Sequence, residues 1–246
     1  MTLHCLDITE GGFVREGIHW VQMWAFNVLT NFALVPSLVF CWKNGMEMDS
    51  IVAGMTIFVS CVYHHLQASG GSFLGGAEFT WHVADNAYAT MCIGGTFLML
   101  LQHPDPITTT VIKTLLLTTA CTANCVAPMS KYSMGAVIAT SAFGSIGYRA
   151  LVVRQWPQIG DVVWLYRAVL AAVVGSCLFF YGLDKRRDPE RISHGLWHLG
   201  VAVFHYSSTM ALNPPVVLDE RRLRRKVFSN VDTEKTTTGS SDIEIV

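Results

Sequence analysis

Charge is scarce in this chain. Only 14% of its 246 residues are Asp, Glu, Lys or Arg, and their formal sum is −1. That balance says nothing about nucleic acid by itself, but no basic patch interleaved with aromatics is present, and no nucleic-acid partner is expected. The first 19 residues lack an apolar core of signal-peptide length and instead carry Asp7, Glu10, Arg15 and Glu16. No cleaved leader is expected, so the first hydrophobic segment must target the chain by itself. Internal repeats are also missing, which argues against a secondary transporter, whose halves usually echo each other. Cysteine does not supply a scaffold either. Of the seven, Cys41, Cys61, Cys92, Cys121, Cys125 and Cys177 fall in apolar runs and only Cys5 lies outside one. A secreted disulfide framework is therefore not expected. Cys121 and Cys125 share a helix face and are expected to be small packing residues rather than metal ligands.

What is abundant is apolar sequence, 51% of all residues, in runs of about the 20 residues that span a bilayer. Seven such spans are expected: about Trp20 to Trp42, Ser50 to Ala68, Ala84 to Gln102, Ile107 to Ala127, Tyr132 to Val152, Asp161 to Leu183 and Ser193 to Leu212. Short connections with turn signals ("NGMEMD", "HPDP", "APMSK", "WPQIG") join most of them, and "SGGSFLGG" reads as a longer glycine-rich loop. The expected fold class is all-α: a polytopic membrane protein with a seven-transmembrane helix bundle over residues 20–212. An N-terminal segment (1–19) precedes it and a polar, disordered tail (213–246) follows. Seven spans place the termini on opposite sides. Lys43, Lys113, Arg149, Arg154, Arg167 and the "RRLRRK" stretch favour a cytoplasmic C-terminus, against the opposing "DKRRDPER" loop. Plasma membrane and endomembrane are not distinguished. Lys113 and Arg167, a turn or two inside their helices, are expected to snorkel.

Polar groups inside spans are functional candidates, because a charge there costs at least ~2.5 kcal/mol on insertion scales. Ser60, His64 and His65 lie near the end of span two, His82 and Asp85 at the start of span three, and His194 and His198 at the start of span seven. In a serpentine of seven spans, these three places share one membrane level. Ser60 and His64 are four apart, as are His194 and His198, so each pair occupies one helix face. Three histidines, His64, His194 and His198, suit zinc with a fourth position left for water. Asp85 is the candidate base or orienting carboxylate, and Ser60 the hydrogen-bond donor to the water or to a developing oxyanion. Haem fits poorly, since histidines at i and i+4 cannot take opposite axial positions of one iron. His65 points about 100° from His64 and is expected to be interfacial or packed. His82 is expected in a loop or helix cap and stays an alternative ligand. His4, His19, His103 and His205 have no matching partners and receive no role.

At these residues the chain resembles the CREST superfamily of seven-span membrane proteins. That group takes in alkaline ceramidases, progestin and adipoQ receptors, Per1-type post-GPI-attachment proteins and the myomaker or transmembrane-protein-8-like group. The shared pattern is SxxxH in span two, Asp in span three and HxxxH in span seven. Here it reads Ser60-Cys-Val-Tyr-His64, Asp85 and His194-Gly-Leu-Trp-His198. The resemblance implies zinc held by the three histidines and hydrolase-type chemistry on lipids. It also implies that Asp85 binds or activates water with support from Ser60. The chain lacks the acidic WCE-type motif that alkaline ceramidases carry ahead of span one, and the stretch from His64 to Asp85 is longer than theirs. Both features resemble the myomaker-like group.

Two functions remain open from these residues. One is a zinc-dependent lipid hydrolase whose substrate, a lipid amide or ester, enters between spans. The other is a non-enzymatic receptor or membrane-remodelling protein in which zinc is structural. The expected partners are membrane lipids, with "RRLRRK" meeting anionic headgroups and the C-terminal "EIV" able to add as a strand to a PDZ domain.

Overall fold

The computed structural model describes residues 18–69, 71–103, 105–127, 130–182, 188 and 191–212. Residues 1–17 of the N-terminal segment and the tail, with its basic stretch and PDZ-type end, lie outside the described residues. Eight α-helices run through the described chain: α1 (Ile18–Asn31), α2 (Val35–Lys43), α3 (Glu47–Ser69), α4 (Glu78–Leu98), α5 (Pro106–Val126), α6 (Lys131–Gly147), α7 (Val162–Gly182) and α8 (Ile192–Leu212). A 3-10 turn, Phe32–Leu34, joins α1 to α2 where Pro36, which has no N–H, cannot donate to the ladder, and the two read as one helical segment. Each expected span thus falls on a helical segment. The class is all-α.

Four of these segments are long and apolar enough by themselves to cross a membrane: Trp24–Lys43, Glu47–Ser69, Lys131–Val152 and Val162–Gly182. The other three helices, α4, α5 and α8, have 21 residues each, about 31 Å at the helical rise, but carry more polar side chains. The exterior is apolar. On α7, Val162, Tyr166, Val169, Leu170, Val173 and Phe180 are all exposed, a surface suited to lipid rather than water.

The glycine-rich loop is more ordered than expected. Ser72–Phe73 and Gly76–Ala77 pair as a two-stranded antiparallel hairpin. Its turn residues, Leu74 and Gly75, both have positive φ, 50° and 76°, as a tight hairpin turn requires. Trp81 closes the hairpin by donating from Nε1 to the Phe73 carbonyl at 3.1 Å. Helix α4 begins directly after it, six residues before the apolar run at Ala84 that marked its expected start. Helix formation needs backbone hydrogen bonds, not hydropathy, so the polar turn Glu78–His82 is helical too. At the far end of the bundle, Asp105 caps α5. Hydrogen bonds from the Thr108 hydroxyl and from the Thr108 and Ile107 backbone N–H groups hold its carboxyl below the usual carboxylate range.

Helix α8 is packed most tightly against α7. A Cβ on Gly200 would come within 3.0 Å of the Gly175 Cα, so the absence of a side chain at Gly200 lets the two helices approach closely. Helix α1 lies against both α3 and α8, which are not packed along each other.

Two expectations fail in the interior. Lys113 does not snorkel: it is 5% exposed, and its Nζ donates to Asp49 Oδ1 and Oδ2 at 2.6 and 2.5 Å. The reason is that α3 starts at Glu47, ahead of the expected Ser50. Asp49 is therefore brought inside the bundle, where an ion pair costs less than two separate charges. His205 does have a partner. It is buried and hydrogen-bonded through Nδ1 to the Ser37 hydroxyl of α2. Arg167 is exposed as expected, its guanidinium 4.5 Å from the Trp164 ring. Cys125 is exposed rather than packed, and the six described cysteines carry free thiols.

Candidate metal centre

His64 comes from the last turns of α3, His194 and His198 from the first turns of α8. All three are buried, at 1%, 7% and 6% exposure. Their ring centroids form a near-equilateral triangle with sides of 5.0, 5.0 and 4.9 Å. One nitrogen from each lies within 4.8 Å of the others. Tetrahedral zinc wants nitrogens about 3.3 Å apart, from bonds of about 2.0–2.1 Å, so the three donors lie within the range of one shared ion.

Hydrogen bonding shows which nitrogens are available. His64 Nε2, His198 Nε2 and both nitrogens of His194 are buried with no hydrogen-bond partner among the described residues. A stranded buried polar atom costs about 1–3 kcal/mol, and here three such atoms, one from each ring, converge. The outer nitrogens of the other two rings are engaged. His64 Nδ1 lies 3.2 Å from Gln67 Oε1. His198 Nδ1 lies 3.4 Å from Thr30 Oγ1, whose own proton goes to the Phe26 carbonyl at 2.9 Å. The Asn27 backbone is a second hydrogen-bond partner of the His198 ring, and with both the Thr30 oxygen and a backbone carbonyl as acceptors the ring donates on this side. Both rings carry the proton on Nδ1 and turn a lone pair on Nε2 inward, the tautomer a metal needs. The donor set thus fits a metal cation.

The local sequence explains the approach. Gly195, between the two histidines of α8, is required because a Cβ there would lie 2.5 Å from the Phe26 ring. That contact lets α1 bring Thr30 up to His198. At the entry to α8, Asp188 Oδ2 accepts from the His194 backbone N–H at 3.1 Å. Arg191, buried, donates from Nη1 to the Gly182 carbonyl at 2.6 Å and so closes the end of α7.

Asp85 and Ser60 are buried and hydrogen-bonded to each other, but Asp85 is not one of the convergent donors. His65 faces outward and accepts from Trp24 Nε1 at 3.1 Å. His82 is a correction: it lies within α4, not in a loop or cap, and stacks on Tyr63 at 4.2 Å and 16°. It does not belong to the donor set. His103 lies at the start of the α5 cap, where its Nδ1 accepts from the Asp105 N–H at 3.1 Å. The residues missed from sequence are Gln67, Thr30, Asp188 and Arg191. Only Gln67 left a trace, at i+3 from His64.

A groove of about 540 Å³ opens beside the centre between α4, α6, α7 and α8. Phe97, Tyr132, Phe179, Trp197 and Phe204 line it, with Lys131 among its few polar residues. Trp197 is shared between groove and centre, its ring 5.5 Å from His194 and 5.3 Å from His198.

Residues 19–199 match the model of a family described as a protein of unknown function, DUF3522. The chain belongs to this family. The match takes in His64, His194, His198, Gln67, Ser60 and Asp85, so the whole centre lies in the part that defines DUF3522. No curated protein matches the chain.

Proposed function

We propose that this chain is a zinc-dependent hydrolase of a membrane-lipid amide or ester, built on a seven-span bundle of the CREST type. The observation that carries this reading is the convergence of unpartnered imidazole nitrogens, buried among helices with an apolar exterior. Three imidazoles with a fourth position open suit a catalytic zinc. When bound, zinc would polarise the substrate carbonyl and lower the pKa of water to about 7. The chain's own residues do the rest. Asp85 takes up the proton of the attacking water and passes it to the amine or alcohol that leaves as the C–N or C–O bond breaks, and the Ser60 hydroxyl holds the Asp85 carboxylate in place. The groove receives an acyl chain along Phe97, Phe179 and Phe204, and Trp197 keeps that chain off the histidines. In a seven-span arrangement the end of α3 and the starts of α4 and α8 share one membrane face. That face is exoplasmic or lumenal when the C-terminus is cytoplasmic.

Turnover of a panel of lipid amides and esters tests the reading. Asp85→Asn should keep the metal and lose turnover. Equal turnover in that variant contradicts the mechanism.

One observation favours a second reading, a non-enzymatic receptor or remodelling protein with structural zinc. Helices α3 and α8 are not packed along each other, so a metal between them would act as a staple. In that case metal removal unfolds the bundle and no lipid is consumed.

A further inference from the structure

His64 has the most elaborate outer side of the three histidines. Gln67 sits three residues on, along the same face of α3, with Oε1 3.2 Å from His64 Nδ1. Its amide is itself oriented, because Nε2 donates to the Tyr63 hydroxyl oxygen at 2.9 Å. Tyr63 is 1% exposed and held against the His82 ring. An amide has one donor end and one acceptor end. In the structure Nε2 faces the Tyr63 hydroxyl and Oε1 faces His64. Nδ1 must then carry the proton, and Nε2 is left as the lone-pair nitrogen facing His194 and His198.

We propose that Gln67, oriented by Tyr63, is a positioning residue that fixes the tautomer and direction of the His64 ring and so sets the metal affinity of the centre. This rests on the metal reading above. Partners of this kind on the outer nitrogen of a ligating histidine change metal affinity by about 10–100-fold when removed. A neutral amide is also a weaker acceptor than a carboxylate, so the natural residue leaves affinity to be gained. Gln67→Glu should bind metal at least as tightly as the wild type, with the Tyr63 hydroxyl turning its proton towards the new carboxylate.

The test uses the full-length protein in detergent, stripped of metal and titrated with zinc against a chromophoric chelator. Gln67→Leu should weaken zinc binding about 10–100-fold, Tyr63→Phe by less, and Gln67→Glu not at all. Melting of the metal-free proteins separates this from general damage, since Gln67→Leu should melt close to the wild type. An unchanged affinity in Gln67→Leu overturns the proposal, as does a fall in Gln67→Glu equal to that in Gln67→Leu. If Gln67→Leu does not fold, an unchanged affinity in Tyr63→Phe overturns it instead. Wild-type binding no stronger than that of His194→Ala/His198→Ala overturns the metal reading itself and Gln67's role with it, a result distinct from the others.

Discussion

At the start of α3, Asp49 receives both of its hydrogen bonds from Lys113, while the nearby Ser37 hydroxyl meets His205. Fifteen residues along the same helix, about 22 Å at the helical rise, His64 joins His194 and His198 with their inner nitrogens unanswered. Helices α3 and α8 contribute to both places. Both are buried, polar and costly to build in an apolar bundle. They differ in completeness. At the first, charge meets charge and the hydroxyl meets the imidazole, so the helices are tied together and nothing further is needed. At the second, three inward nitrogens, one from each ring, have no hydrogen-bond partner among the described residues. Burial of polar residues alone would have marked both as sites. Only their hydrogen-bond bookkeeping separates a structural tie from a place for a ligand.

The comparison breaks most severely at the ion pair. Lys113→Met should cost about 3–5 kcal/mol, because it leaves the Asp49 carboxylate buried and unpaired. Asp49→Asn/Lys113→Met should recover most of that. Denaturation in detergent measures both, and equal loss in the single and double variants would show that the pair is not the cause. Gly195→Ala comes next, at about 1–3 kcal/mol, since its Cβ meets the Phe26 ring. This variant should also weaken metal binding by pushing α1 away from His198, which a zinc titration reads separately from the melt. His205→Ala should cost a similar ~1–3 kcal/mol by stranding the Ser37 hydroxyl, with zinc binding untouched. The smallest stability effect belongs to the incomplete centre. His194→Leu should leave the metal-free protein within about 1 kcal/mol of the wild type, because it removes unsatisfied atoms rather than a contact. A large loss of metal-free stability there would mean that the histidines are packing groups after all.

Much of this arrangement was legible in the sequence. The i, i+4 spacings of Ser60 with His64 and of His194 with His198 place side chains on one face without any knowledge of the fold. The shared depth of spans two, three and seven needed only the order of the segments. Those two arguments suffice to name all three convergent histidines. The failures have a common physical origin. Lys113 and Asp49 are 64 residues apart, and no local pattern says that two charges near span ends will turn inward towards each other. His205 and Ser37, 168 residues apart, are invisible for the same reason. Hydropathy also misplaced the start of α4, and His82 with it, because a helix can begin in polar residues when a hairpin delivers the chain. Thr30 reaches His198 only through the close contact that Gly195 permits, a packing event that no spacing encodes.

The central claim is that the three histidines form a metal centre. Metal content by mass spectrometry on detergent-purified protein, wild type beside His194→Ala/His198→Ala, tests it most directly. The account predicts one zinc per chain in the wild type and none in the double variant, with both proteins folded. A folded wild type without metal, or a double variant that keeps it, would contradict the account.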